Sequence, residues 1–272
     1  MATDLSSDQA QTLRGDRSLN VSLQPSPWIF YTFTNDDPRV SRLTSNRHFQ
    51  RAVRYALDYP GLVSLAGAGA IQAPGMIPSM ILGALPSKDA AKANLARARA
   101  ELTAAGLGNP RVTLEYPSDV TINGVSFSTI AQKMQSDLDA AGFDVVLSGS
   151  PLATFQPKFR AGKVAFGLWV WGPDFPDPAD YLVFTPGRLI ALHAGWRAGS
   201  DPALEKLARQ ALVATFRAAR KSLYRRIQIG LNARGPFMPL IQPAQAFVTP
   251  TDLSGAVFSG AYVVDVTQVA PK

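Results

Sequence analysis

The residues with the clearest chemistry lie in one segment, where an apolar run ends in a loop rich in aspartate and proline. Trp169 and Trp171 alternate near the end of the run, and Asp174 follows them. Alternate side chains of a strand share a face, so we expect these three residues to line one wall where the strand ends. Two indole rings beside a carboxylate suit a cationic organic ligand. The segment therefore predicts a binding site.

The apolar run at residues 164–171 is typical of a strand buried on both faces, and open α/β sheets bind ligands beyond the carboxyl ends of such strands. Asp177 and Asp180 follow in the same loop. We interpret both as turn residues, because aspartate in a proline-rich turn usually accepts a hydrogen bond from its own backbone. A pair of hydrolytic carboxylates, as in a glycosidase, stays an alternative, although the proline spacing disfavours a facing pair.

The composition excludes several chemistries. The chain of 272 residues has no cysteine, so disulfides, thiol nucleophiles and thiolate metal sites are excluded. It has two histidines, which disfavour a zinc site or a histidine-based triad. We expect His48 to be exposed in the first turn of a helix and His193 to make a structural hydrogen bond in a loop. No metal and no cofactor is predicted.

The formal net charge of +7 raises nucleic acid or an anionic membrane as a partner. The densest basic patch has apolar residues between its charges, so we interpret it as the solvated face of a helix. It consists of Arg217, Arg220, Lys221, Arg225 and Arg226. Since no nucleic-acid motif accompanies the patch, we predict no nucleic-acid partner. A nucleic-acid accessory protein stays an alternative, which predicts steep salt dependence of DNA affinity.

Targeting and membrane signals are weak in the sequence. The first ten residues have neither a basic start nor an apolar run, so no signal peptide is predicted in the chain as given. The longest apolar stretch, residues 62–85, is interrupted by prolines and glycines and is not expected to span a membrane.

A repeated order of helix, glycine and strand predicts an α/β fold with helices packed on a sheet. A helix from Ser87 precedes Gly106 and a strand at 111–116; a helix at 127–141 precedes Gly142 and a strand at 143–147; a helix with Phe155 and Phe159 precedes Gly162 and the apolar run. Further helices are predicted over 48–58, 201–212 and 217–231, and further strands over 19–23, 28–33, 237–241, 246–249, 257–258 and 262–266. Pro60 and Gly61 are expected to end the helix at 48–58 ahead of a long loop, and strand 28–33 is expected to share a sheet with the C-terminal tail.

Four segments, in order, carry a resemblance to a known family. They read N-R-H-F-Q-R-A-V-R-Y-A-L-D, an alanine-rich helix with A-A-G-F-D-V, W-V-W-G-P-D-F-P-D-P, and S-L-Y-R-R-I-Q followed by G-P-F-M-P-L-I-Q-P. Together they resemble the C-terminal part of the oligopeptide- and dipeptide-binding proteins of ABC importers, extracellular solute-binding protein family 5. The resemblance implies an α/β fold with type II periplasmic-binding-protein-like lobes, truncated at the N-terminus. Residues 1–35 and 244–272 would belong to a first lobe, and residues 36–243 would form the C-terminal ligand-binding lobe.

The resemblance also implies a function. Such a protein captures peptides between two lobes and delivers them to an ABC permease, as a monomer without enzymatic activity, in the periplasm or as a lipoprotein anchored outside the cell. A nickel complex, sugar or opine is an alternative ligand. By resemblance Asp174 meets the ligand's α-ammonium group and Trp171, with Trp169, lines the adjoining pocket. Phe175 stands where the family has tyrosine and lacks the hydroxyl, and hinge strands lie near Phe33 and Gln242. Because half a site leaves the ligand hydrated, we expect the chain alone to bind free peptide weakly.

Overall fold

The structure is a computed structural model that describes the backbone of residues 1–259 and 263–272. Its helices are α1 Ser7–Leu13, α2 Arg47–Ala56, α3 Tyr59–Ala66, α4 Leu95–Ala104, α5 Phe127–Ala141, α6 Leu152–Arg160, α7 Leu189–His193, α8 Pro202–Val213 and α9 Arg217–Arg234. Its strands are β1 Ala2–Thr3, β2 Leu19–Pro25, β3 Ile29–Thr34, β4 Ile71–Gln72, β5 Arg111–Pro117, β6 Thr121–Ile122, β7 Val125–Ser126, β8 Asp144–Ser150, β9 Phe166–Trp171, β10 Phe237–Gln242, β11 Ala244–Pro250, β12 Leu253–Ser254, β13 Val257–Ser259, β14 Val263–Asp265 and β15 Ala270–Pro271. Short 3-10 helices cover Ser87–Asp89, Pro178–Phe184 and Val266–Gln268.

The main sheet has six strands in the order β4-β10-β3-β9-β5-β8. Strand β9 runs antiparallel to β3 and parallel to β5, and β5 runs parallel to β8. One apolar cluster packs helices α2 to α5 on one face of the sheet, and a second packs α6 to α9 on the other. The predicted α/β layering is therefore confirmed.

Strand β9 is the buried strand that the apolar run predicts, but it begins two residues later than expected. The carbonyl groups of Val164 and Ala165 accept hydrogen bonds from the side-chain and backbone nitrogens of Asn35, at 3.0 and 2.7 Å. These contacts hold the start of the run against the end of β3, so the ladder proper begins at Phe166.

The glycines predicted to follow three of the helices are confirmed. Gly106, Gly142 and Gly162 follow α4, α5 and α6 with φ values of 68°, 105° and 66°, a left-handed conformation that glycine adopts without a steric penalty. The helix predicted from Ser87 starts only at Leu95, because the Asn94 side chain accepts a hydrogen bond from Arg97 N at 2.9 Å and caps the helix there.

Pro60 and Gly61 do not end a helix, and this prediction is wrong. Helix α2 ends at Ala56, and both residues lie in the first turn of α3. The Asp58 carboxylate accepts a hydrogen bond from Gly61 N at 3.2 Å, so it caps α3. Proline is tolerated in a first turn because its missing N–H has no partner there.

The expected sheet between strand 28–33 and the tail is also wrong. Strand β3 pairs with β9 and β10 in the middle of the main sheet, whereas β13 and β14 pair with each other; residue 262 of the predicted tail strand lies outside the described residues. The strand that returns to the N-terminal region is β11, which joins β1 and β2 in a three-stranded sheet.

Two neighbouring connections join the three-stranded sheet to the main sheet. One passes from β2 to β3 through Ser26, and the other passes from β10 to β11 through Pro243. Ser26 N donates to the Pro243 carbonyl at 2.9 Å, and the Gln242 side chain donates to the Ser26 carbonyl at 2.7 Å. Residues 29–34 belong to the main sheet as strand β3, and the division of the chain into lobes stays a prediction.

Candidate functional site

A pocket of about 470 Å³ lies beyond the carboxyl ends of the parallel strands β5, β8 and β9. Its lining is mainly aromatic and aliphatic, with a few polar side chains, which is the usual character of a ligand pocket. The lining residues are Trp28, Val120, Ile122, Phe127, Leu152, Gln156, Phe159, Arg160, Trp169, Val170, Trp171, Gly172, Asp174, Leu189, Ile190 and His193. The structure thus brings Trp169, Trp171 and Asp174 to one pocket.

Aromatic packing fixes Trp169 in the pocket wall. Its ring stacks on Phe155 with centroids 5.2 Å apart and lies 5.4 Å from the ring of Phe159. Both phenylalanines belong to α6, where their spacing of four residues places them on one face. On the other side Phe127 of α5 lies 6.1 Å from the same indole.

A buried carboxylate orients Trp171 and the loop that follows it. Asp180 is 4% exposed and accepts hydrogen bonds from Trp171 Nε1 at 3.2 Å and from Asp174 N at 3.3 Å. Burial raises the pKa of Asp180, and these two bonds oppose that shift. The interpretation of Asp180 as a turn residue is therefore wrong, because its carboxylate reaches back across the loop.

Asp177 does have the predicted turn role. Its carboxylate caps the Pro178–Phe184 helix by accepting from Ala179 N at 2.8 Å, and it also accepts from the Arg220 guanidinium at 2.6 Å. Burial alone would raise the pKa of Asp177, but the bonds from Arg220 and Ala179 outweigh it, so the pKa lies below its usual value.

Among the described residues that line the pocket, Asp174 is the one carboxylate.

Phe175 lies at the edge of the site. The side chain is 45% exposed and is outside the pocket lining. A ligand would reach it only from the open side of the pocket, so its role in binding stays a prediction.

Three polar residues of the pocket, Gln156, Arg160 and His193, were not predicted as site residues. Arg160 ends α6, and His193 ends α7 with its ring packed edge-to-face on Phe159 at 4.8 Å. Within the described residues His193 Nδ1 is buried without a hydrogen-bond partner, so the structural bond expected for it is not found at that atom. Burial lowers the pKa of His193, and the nearby positive charge of Arg160 lowers it further.

Gly162 lies against the end of α7, where His193 stands. A Cβ atom at Gly162 would lie 3.2 Å from the Leu192 carbonyl, so glycine allows the end of α6 to approach α7 closely. The sequence offered two signals for these residues: His193 follows shortly after the aspartate loop, and Arg160 is a charged residue next to Phe159. Neither signal indicates that the two residues meet.

The described residues contain no group of three His, Asp or Glu side chains that could hold a metal ion. The helices described by the structure include none with the length and apolar character needed to cross a bilayer.

A model of the bacterial extracellular solute-binding proteins, family 5 (middle region), matches residues 1–187 of the chain. The match covers well over half of the chain, and the chain belongs to this family.

Two curated relatives are similar in sequence. Di/tripeptide-binding protein 4 of Pseudomonas aeruginosa is 28% identical over 169 residues, which cover 60% of this chain and 31% of that protein. Di/tripeptide-binding protein 2 of the same organism is 26% identical over 236 residues, which cover 86% of this chain and 43% of that protein. The chain thus spans less than half the length of these relatives.

Solved structures share the fold. HbpA2 from Haemophilus parasuis superposes with a TM-score of 0.83 at 20% identity, covering 97% of this chain and 52% of that one. A dipeptide-binding protein from Pseudoalteromonas in complex with Met-Leu superposes with a TM-score of 0.80 at 20% identity, covering 99% of this chain and 53% of that one. The fold is that of periplasmic binding proteins, and the chain spans about half of each.

Proposed function

We propose that the chain is part of the substrate-binding component of an ABC importer and that its pocket holds one face of a short peptide. The family membership and the di/tripeptide-binding relatives support the ligand class. In this proposal the whole protein binds without catalysis, acts as a monomer outside the cytoplasmic membrane, with a lipoprotein anchor, and delivers its ligand to a permease. A nickel complex, sugar or opine stays an alternative ligand.

The observation that carries the proposal is the presence of opposite charges in one aromatic pocket. Asp174 and Arg160 both line it, with Trp169 and Trp171 in the same wall. A peptide's ammonium group would bond to Asp174, and its carboxylate group would bond to Arg160, both with charge-assisted hydrogen bonds. An apolar side chain of the peptide would pack between the indole rings. The pocket therefore suits a short peptide whose two termini are free.

The two connections between the sheets are the proposed hinge. Residues 1–28 and 244–272 would belong to one lobe and the main sheet to the other, which shifts the sequence-based division from residue 35 to the turn at Ser26. The hydrogen bonds of Ser26 with Pro243 and Gln242 hold the two crossing strands side by side. A rotation about these short segments would leave both sheets intact, as hinge closure requires.

Indole resonances give a test with an internal control. Three of the four tryptophans line the pocket, whereas Trp196 is fully buried elsewhere. Titrating isotope-labelled protein with an apolar dipeptide is expected to shift the N–H resonances of Trp169 and Trp171 and to leave that of Trp196 in place. Because the chain alone is expected to bind weakly, the titration should extend to millimolar dipeptide.

The matched ligand is the same dipeptide with an acetylated amino terminus and an amidated carboxyl terminus. It keeps the apolar side chains but loses both charges, so we expect smaller shifts at equal concentration. Equal shifts from both ligands would refute the roles of Asp174 and Arg160. Shifts that include Trp196, or none at all, would refute the pocket as the site.

A further inference from the structure

The turn between α8 and α9 carries an exposed apolar tip. Leu212, Val213 and Phe216 are 51%, 79% and 81% exposed. They lie within five residues where α8 ends and α9 begins, and the neighbouring Thr215 is exposed as well. Exposing large apolar side chains to water is unfavourable, and a contiguous group of them usually marks a contact surface.

The same hairpin is strongly basic. Between residues 202 and 230 there are seven basic residues and one acidic residue, Glu205, a net charge of +6 out of +7 for the whole chain. The basic residues are Lys206, Arg209, Arg217, Arg220, Lys221, Arg225 and Arg226. The hairpin therefore combines a high density of positive charge with an exposed apolar tip.

Few of these charges are neutralised near the tip. Arg220 is bonded to Asp177 at 2.6 Å, and Arg209 lies 4.0 Å from Glu205. Arg217 and Lys221 lie in the first two turns of α9, beside the tip, and form no ion pair with any carboxylate of the described chain. A solvated helix face explains the charges alone, but it does not explain the exposed apolar side chains.

We propose that this hairpin docks on an anionic membrane surface. Phe216, Val213 and Leu212 enter the boundary between headgroups and acyl chains, while Arg217 and Lys221 contact lipid phosphates. Apolar side chains combined with a basic surround are the features that bind a protein peripherally to anionic bilayers. Nucleic acid is a less suitable partner because it would contact the charges but leave the apolar tip exposed. A second copy of the chain is also less suitable because its own positive charge would repel this surface.

The docked hairpin lies close to the ligand site. Arg220 is one helical turn from Phe216, and its guanidinium bonds Asp177 in the loop that follows β9. Docking thus places the loop of the pocket near the membrane surface. The proposal does not depend on which ligand the pocket binds, so the peptide assignment and the membrane assignment can fail separately.

Vesicle cosedimentation tests the proposal on the chain itself. The protein is mixed with vesicles of phosphatidylcholine alone or of equal parts phosphatidylcholine and phosphatidylglycerol, at low and at high salt. We expect binding to the anionic vesicles, little binding to the neutral ones, and loss of binding at high salt because the charges are screened.

Two double variants separate the charge from the apolar contact. In Arg217→Glu with Lys221→Glu, each positive charge lost weakens binding about fivefold, so the affinity for anionic vesicles should fall at least about 25-fold. The control is Arg14→Glu with Arg17→Glu, which changes the net charge equally at exposed positions outside the hairpin and should keep most of the affinity.

The apolar variant is Val213→Ser with Phe216→Ser. Both side chains are exposed, so the fold should be retained, which circular dichroism checks. We expect at least a tenfold loss of vesicle affinity. The control is Ile229→Ser, which removes an apolar side chain of α9 that is 53% exposed and lies away from the tip. This variant should keep the vesicle affinity of the unchanged protein.

Four results would overturn the proposal. Equal binding to neutral and anionic vesicles would show that charge does not contribute to binding. Equal losses of affinity in the test and control variants would show that the hairpin is not the contact surface. Tight DNA binding that requires Arg217 and Lys221 but not Phe216, without vesicle binding, would assign the surface to nucleic acid. Concentration-dependent dimers in sedimentation that Phe216→Ser dissolves would assign the tip to a second copy.

Discussion

Replacing Asp180 with alanine removes the acceptor that orients the wall of the pocket. The carboxylate is 4% exposed and holds Trp171 Nε1 at 3.2 Å and Asp174 N at 3.3 Å. A hydrogen bond to a charged acceptor contributes about 1.5–3 kcal/mol to stability. The substitution also removes the cost of burying a carboxylate, which raises the pKa of Asp180. Two such bonds would contribute at least about 3 kcal/mol, and relief of the burial cost offsets part of that, so we expect Asp180→Ala to lower the free energy of unfolding by about 2 kcal/mol.

The matched variant is Asp180→Asn, which keeps one acceptor oxygen in nearly the same shape and should lose about half as much. Urea unfolding followed by circular dichroism measures the stability, and the N–H resonance of Trp171 reports the hydrogen bond directly. The reasoning fails if Asp180→Ala unfolds like the unchanged protein and the Trp171 resonance does not move. It also fails if Asp180→Asn is the more destabilising of the two.

Further predictions concern pH and packing. Hydrogen bonds from Arg39 and Arg197 hold the pKa of Asp37 below its usual value. The contribution of Asp37 to folding stability is therefore complete above about pH 4 and is lost on acidification. In urea unfolding, Asp37→Asn should reduce the loss of stability at acid pH. Burial lowers the pKa of His193, so its proton NMR titration should have a midpoint below 6.5, whereas a higher midpoint would contradict its burial. Gly167→Ala puts a Cβ 2.5 Å from a ring carbon of Phe33 and should destabilise the fold by about 1–3 kcal/mol, whereas Gly108→Ala, which meets nothing within 4 Å, should not.

Local signals explain which elements could be predicted from the sequence. The bounds predicted for α5 agree with the structure, because its apolar period and the left-handed Gly142 both act within a few residues. Trp169 and Trp171 share a face because of the period of a single strand, and Asp174 lies three residues beyond the end of that strand, so their meeting in one pocket also rests on local properties. These parts of the fold and site need no knowledge of distant contacts.

Long-range contacts explain what could not be predicted. Strand β3 lies between β9 and β10, more than 130 and 200 residues away along the chain, and its own alternation does not specify those partners. The ends of α6 and α7 approach closely at Gly162, beside His193, and Asp180 accepts from Trp171 across a loop whose course depends on tertiary packing. Arg160, His193 and the role of Asp180 were therefore missed, while Asp174 and the two indole rings were predicted.

The most direct test of the ligand assignment is a double comparison of dipeptide affinity. The protein and its Asp174→Asn variant are each titrated with a free dipeptide and with its amino-terminally acetylated form, and the indole N–H shift of Trp171 measures binding. Asp174 is exposed, so its bond to the ammonium group should be worth up to about 1 kcal/mol, or about fivefold in affinity. We predict that this factor is lost in the variant and absent for the acetylated dipeptide in both proteins. An equal preference for the free amine with and without the Asp174 carboxylate would contradict the account.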